Sequence, residues 1–147
     1  MKGLIDVLKG IPSILSPELL KILMEMGHGD QIVIGDGNFP AASCAQRLVR
    51  LDGHGVCEIL DAVMQLFPLD NYVEAPVQLM QPVPGDPPTQ PIWEDYRRIV
   101  AQYEPKAQFG QIERFAFYEH AKRAYAIIAT GESAPYANLI LTKGVVF

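Results

Sequence analysis

The chain has 147 residues (16.3 kDa), 49% of them hydrophobic and 20% charged, with a net charge of −5. That length corresponds to one domain burying roughly two-thirds of its unfolded surface, and the apolar fraction excludes disordered and fibrous classes. The charges are spread without a basic run, so no nucleic-acid partner is expected.

In chain order, Met1, Lys2, Gly3, Leu4, Ile5 and Asp6 lack the long apolar core of a signal peptide. No apolar run approaches the ~18 residues of a membrane span. A soluble, cytoplasmic protein with no membrane partner is therefore expected. The first element is a helix: Ser16 suits the cap, Pro17 the first helical position and Glu18 the positive end of the dipole. Leu19, Leu20, Leu23, Met24 and Met26 repeat at helical spacing, and Gly27 is placed to end the run. The β-branched run Gln31-Ile32-Val33-Ile34 reads as a strand buried on both faces, stopped by Gly35-Asp36-Gly37-Asn38. In open α/β sheets, ligands bind at that carboxyl end.

Arg47–Leu51 forms a further strand ending at Asp52-Gly53-His54-Gly55. An amphipathic helix follows over Val56–Phe67, with Ile59, Leu60, Val63, Met64 and Phe67 on its apolar side. Val77–Val83 reads as a strand. Pro82–Pro91 holds five prolines with Gly85 and Asp86 and is a loop. Helices are expected at Pro91–Tyr103, with Ile92, Tyr96, Ile99 and Val100 inward, and at Arg114–Arg123. Strands are expected at Tyr125–Thr130 and Asn138–Thr142. The alternation predicts an α/β fold: a single layered domain over residues 1–147, with a mainly parallel central sheet flanked by helices. Cys44 and Cys57 match neither a C-x-x-C nor a zinc pattern and read as reduced, partly buried thiols.

The densest polar cluster is His28-Gly29-Asp30 with Asp36 beyond the strand. A histidine near a carboxylate suits proton transfer at neutral pH. His28 and Asp36 stand at opposite ends of a strand rising ~3.3 Å per residue, so they pair only if the chain loops back. The plain alternative is a helix-end histidine beside two aspartates that cap backbone amides. A metal set of His28, Asp30 and Asp36 is a further alternative, without H-x-H, H-x₃-H or Cys/His support. Gly27, Gly29, Gly35 and Gly37 match no phosphate-loop pattern.

On the helix after Glu113, Arg114, Tyr118, Ala121 and Tyr125 share one face, and Phe115, Glu119 and Lys122 another. A guanidinium beside a phenol suits sugar hydroxyls, although Phe115, Phe117 and Tyr118 equally suit a core. Tyr136 and Asn138 alternate at a strand entry and point the same way. His54 and His120 read as surface residues.

Several segments together resemble the ribose pyranase/fucose mutarotase superfamily, on its fucose branch. They are Leu15-Ser16-Pro17-Glu18-Leu19-Leu20, Met26-Gly27-His28-Gly29-Asp30, Asp36-Gly37-Asn38-Phe39-Pro40 and Pro68-Leu69-Asp70-Asn71-Tyr72-Val73. Ile112-Glu113-Arg114-Phe115-Ala116-Phe117-Tyr118-Glu119, Thr130-Gly131-Glu132 and the stretch from Tyr136 to Val145 complete the series. The start with His28 and the Tyr-x-Asn ending also resemble the ribose pyranase branch. The Arg114–Glu119 segment and the Thr-Gly-Glu turn resemble the fucose branch.

The resemblance implies an isomerase that interconverts the α and β anomers of a reducing monosaccharide, L-fucose above D-ribose, without cofactor or metal. It implies a ring-like homo-oligomer, often a decamer, whose sites are completed by a neighbouring subunit. His28 matches the proton donor and Asp36 a substrate-binding carboxylate that positions the sugar or orients the imidazole. Asp70, Arg114, Tyr118, Tyr136 and Asn138 match further sugar contacts, with Tyr118 a candidate second proton relay. The contrasting class is a non-catalytic ring that binds a sugar or sugar phosphate, and the titratable His28 argues for the enzyme.

Overall fold

Ser16 begins the first helix by the cap its sequence predicts. Its Oγ accepts from the Leu19 N–H at 3.2 Å, and α1 runs Pro17–Glu25. The chain is represented by a computed structural model that describes residues 6–147. The expectation that Met1–Ile5 hold no apolar leader lies outside the described residues. α1 buries Leu19, Ile22 and Leu23, whereas Met24 is exposed, so the apolar stripe is narrower than predicted. Met26, not Gly27, ends the helix by turning to an extended conformation (ψ 134°).

β1 (Gln31–Gly35), α2 (Ala41–Cys44), β2 (Leu48–Leu51), α3 (Val56–Met64) and β3 (Val77–Met80) follow. Then come α4 (Pro91–Tyr103), β4 (Phe109–Ile112), α5 (Arg114–Arg123), β5 (Ala126–Thr130) and β6 (Leu139–Thr142). The strands form one sheet in the order β2-β5-β1-β6-β3-β4. β1–β5, β2–β5 and β3–β4 pair parallel, and β6 runs antiparallel to both β1 and β3. The sheet is mostly parallel, as predicted, with one reversed strand inside it.

Continuous apolar strands are explained by burial on both faces. Ile32, Ile34, Ala126, Ile128, Leu139 and Leu141 point into the larger core with Leu19, Ile59, Trp93 and Tyr96. Val33, Ile127, Ala129 and Ile140 alternate to the other face, where Phe39, Phe117 and Ala121 cover them. Fully burying each such large side chain contributes about 1.5–3 kcal/mol. Two elements escape the sequence reading: the single turn α2, and β4, whose polar face is completed only by pairing with β3. A Cβ at Gly110 in β4 would lie 2.6 Å from the Gln78 side-chain oxygen, so a larger residue there would displace the Gln78 amide. Cys44 and Cys57 are both free thiols; burial pushes the latter up to about 11.

The turn that follows β5 ties the sheet to α3. Glu132 accepts the Val56 N–H through Oε1 at 3.0 Å and the Ala134 N–H through Oε2 at 3.2 Å. This carboxylate satisfies an otherwise orphan donor at the start of α3. No helix among the described residues is long and apolar enough to cross a membrane.

Candidate active site

Two polar groups form at opposite ends of the sheet. At the start of β1, Gly29 takes φ +90° and donates its N–H to the Lys143 carbonyl at 2.8 Å, carrying His28 out toward β6. Asp30 Oδ2 accepts the Gly27 N–H at 2.7 Å, closing the turn. Asp70 reaches the same end because its N–H pairs with the Thr142 carbonyl at 3.0 Å. Its Oδ1 lies 3.0 Å from His28 Nε2 and also accepts the Tyr72 N–H at 3.1 Å. The Asp70 side chain is 4% exposed and that of His28 44% exposed, so the imidazole is anchored from below and open above. Desolvation raises the Asp70 carboxyl, but the bonds from Tyr72 and His28 outweigh it and hold the group below its ordinary value. Tyr72 adds a ring 5.3 Å from the imidazole.

At the other end, Asp36 follows β1 directly and is buried. Its N–H donates to Asn138 Oδ1 at 2.7 Å, while its carboxylate accepts the N–H groups of Asn38 (3.0 Å) and Ala137 (3.4 Å). Burial raises this carboxyl despite those bonds. Gly35 is needed beside it, since a Cβ would meet the Phe39 ring at 2.9 Å. From α5, whose first turn Glu113 caps, Arg114 Nε donates to the Tyr118 hydroxyl at 3.0 Å. The Tyr118 ring packs edgewise on Phe39 at 5.8 Å, so the pair is fixed to the loop after β1. Tyr136 takes a left-handed conformation (φ +51°), held by Trp93 Nε1 donating to its carbonyl at 2.8 Å. A cleft of ≈ 400 Å³ opens between the proline loop and α5, lined by Gln81, Val83, Asp86, Gln111 and Arg114.

The RbsD / FucU transport protein family model matches residues 9–146. The chain belongs to that family. It is 50% identical over 144 residues to the fucose mutarotase of Homo sapiens, covering 94% of each chain. It superposes on the crystal structure of FucU from Bifidobacterium longum with a TM-score of 0.92 at 58% identity, covering 95% of this chain and all of that one. The fucose mutarotase of Streptococcus pneumoniae, crystallised in complex with L-fucose, matches with a TM-score of 0.90 at 49% identity, over 95% of this chain and all of that one.

Within one chain of this family member, the predicted residues divide. Asp36, Arg114, Tyr118, Tyr136 and Asn138 gather at the carboxyl end of β1, and His28 and Asp70 at the start of it. Asp36 therefore does not orient the imidazole of its own chain; Asp70 does. The length of β1 between them, about 16 Å of extended backbone, is the reason. His28, Asp30 and Asp36 likewise fail to converge as a ligand set, and both aspartates cap backbone amides as the plain alternative had them.

Tyr136 and Asn138 bond to different partners. The left-handed Tyr136 turns its phenol to the proline loop, and the Asn138 amide turns to Asp36. Phe117 is core, whereas Phe115 is 64% exposed. His54 and His120 are half-buried, the former bonded to Glu58 at 3.0 Å. The sequence reading missed Tyr72, Asp86 and Trp93 as supports of these residues. Pro-Leu-Asp-Asn-Tyr does place Tyr72 two positions after Asp70, the spacing of an Asx turn.

Proposed function

We propose that the chain, as one domain over residues 1–147, interconverts the α and β anomers of L-fucose. We further propose that it works as a ring-like, cytoplasmic homo-oligomer, a decamer, in which neighbouring copies complete each site. The observation that carries the shared site is the separation of the two polar groups along β1. A general acid acts only within hydrogen-bond reach of its proton's destination. A sugar held by the Asp36 group of one copy therefore meets His28 from another. L-fucose is favoured over D-ribose, and an enzyme over a non-catalytic sugar-binding ring, by the mutarotase relatives just described.

The ionised Asp70 carboxylate only accepts hydrogen bonds. It accepts the hydrogen bond of His28 Nε2–H, which leaves Nδ1 to exchange a proton with the sugar. In this reading Nδ1–H of the imidazolium protonates the ring oxygen as the C1–O bond opens. Tyr118 relays the proton lost from the anomeric hydroxyl, Arg114 and Asn138 help hold the hydroxyls, and Asp36 sets the loop that carries them. Rotation about C1–C2 and closure on the other carbonyl face, with the proton roles reversed, complete the exchange.

The test is magnetisation transfer between anomer resonances with L-fucose, D-ribose, D-galactose and D-glucose. Fastest enzyme-driven exchange with L-fucose, lost in His28→Gln while the assembly persists, is expected. Exchange at the buffer rate with every sugar, or unchanged exchange in His28→Gln, refutes the assignment.

A further inference from the structure

Asp86 lies outside every residue so far given a role in the reaction, on the exposed Pro82–Pro91 loop. Its Oδ2 receives the Tyr136 hydroxyl hydrogen at 2.5 Å. The same phenolic oxygen accepts the Val83 N–H at 3.2 Å. A phenol has one hydrogen to donate and two lone pairs. Asp86 consumes the hydrogen and Val83 one lone pair, so a single lone pair is left. Tyr118 is the opposite case: Arg114 Nε donates to its oxygen, and its hydroxyl hydrogen stays available.

We propose that Asp86 is a positioning residue that fixes the hydrogen-bond polarity of Tyr136, making it an acceptor for one sugar hydroxyl while Tyr118 serves as the donor. This rests on the sugar site proposed above. The backbone is built for it. The Tyr136 carbonyl is held by Trp93, and the next carbonyl, of Ala137, by the buried Tyr96 hydroxyl at 2.7 Å. The phenol is thus delivered to the loop from a rigid base. The charged groups facing the phenol are Asp86 and, across the cleft, Arg114. The Arg114 guanidinium carries only donors and cannot accept the phenolic hydrogen, so Asp86 is the group that orients it. The Asp86 bond also raises the phenol above its ordinary titration range.

The test is a double-mutant cycle with Asp86→Asn, Tyr136→Phe and the double variant, read as KM and kcat for L-fucose anomer exchange. An asparagine fills the same space but also presents N–H donors, so the polarity is no longer fixed. Asp86→Asn is expected to raise KM about tenfold, equivalent to ~1.4 kcal/mol, with kcat changed far less. In the Tyr136→Phe background the same substitution is expected to change KM less than about twofold. Additive effects, or a loss confined to kcat, overturn the proposal.

Tyrosine labelled with ¹³C at Cζ supplies a readout independent of the sugar. The Tyr136 resonance, assigned by its loss in Tyr136→Phe, is expected to move in Asp86→Asn, and an unmoved resonance overturns the proposal. If the unaltered protein leaves L-fucose exchange at the buffer rate, the functional reading falls. The resonance then decides the Asp86–Tyr136 coupling alone.

Discussion

Two inactive variants are expected to repair each other if the site is shared. His28→Gln removes the proposed proton donor from one end of β1, and Asp36→Asn alters the proposed sugar-binding loop at the other. The two positions are separated by about 16 Å of strand, several times the ~3 Å over which a proton donor must act. When the variants are co-expressed in equal amounts and mix at random, a repaired site needs His28 from an Asp36→Asn chain and Asp36 from a His28→Gln neighbour. Each condition is met half the time, so about one quarter of wild-type exchange returns in a cyclic head-to-tail assembly. At a three-to-one ratio the value falls to about three-sixteenths, because the two probabilities multiply. Saturation-transfer NMR with L-fucose measures the recovered rate, and mass spectrometry confirms that mixed assemblies form. Mixed assemblies with no recovered exchange at any ratio would refute the shared site. A site contained in one chain gives that result.

Two stability predictions follow from the same geometry. Tyr96→Phe deletes a buried donor and strands the Ala137 carbonyl beside Asn138. It should cost about 1–3 kcal/mol, seen as a fall of roughly 2–4 °C in Tm per kcal/mol, and an unchanged Tm contradicts it. Asp36 and Asp70 should pull stability in opposite senses with pH. Because the folded Asp36 carboxyl is raised, its contribution is full below the unfolded value and lost as pH rises through the folded one. Because the folded Asp70 carboxyl is lowered, its contribution is present above the unfolded value and lost as pH falls through the folded one. Urea midpoints from about pH 3 to 7 should show Asp36→Asn gaining on the wild type as pH rises and Asp70→Asn losing ground. Parallel curves would contradict both assignments.

Local rules made much of the fold legible. The Ser16-Pro17-Glu18 start and the β-branched Ile32-Val33-Ile34 run carry their own signals, and both are realised. β4 carries none: Phe109-Gly110-Gln111-Ile112 becomes a strand because Val77–Met80 pairs with it. Ile92 and Trp93 fit the helical stripe about equally, and only the Tyr136 carbonyl selects the indole. The site was legible as a set of residue types but not as a set of contacts. His28 meets Asp70 across 42 positions and Asp36 meets Asn138 across 102, separations that no local pattern encodes. The strand reading did hold one geometric truth, that residues flanking β1 at its two ends cannot touch within the same chain.

The reversed strand has a mechanical consequence. β6 begins beside Asn138, which grips the Asp36 amide, and ends at Thr142, whose carbonyl grips the Asp70 amide. It is a four-residue tie rod hydrogen-bonded on both edges, to β1 and to β3. An axial shift of this rod displaces the support of the imidazole and that of the loop after β1 together, in the same direction. In the shared-site assembly proposed above, this rod would be the stiff link between the two pockets to which one copy lends its ends.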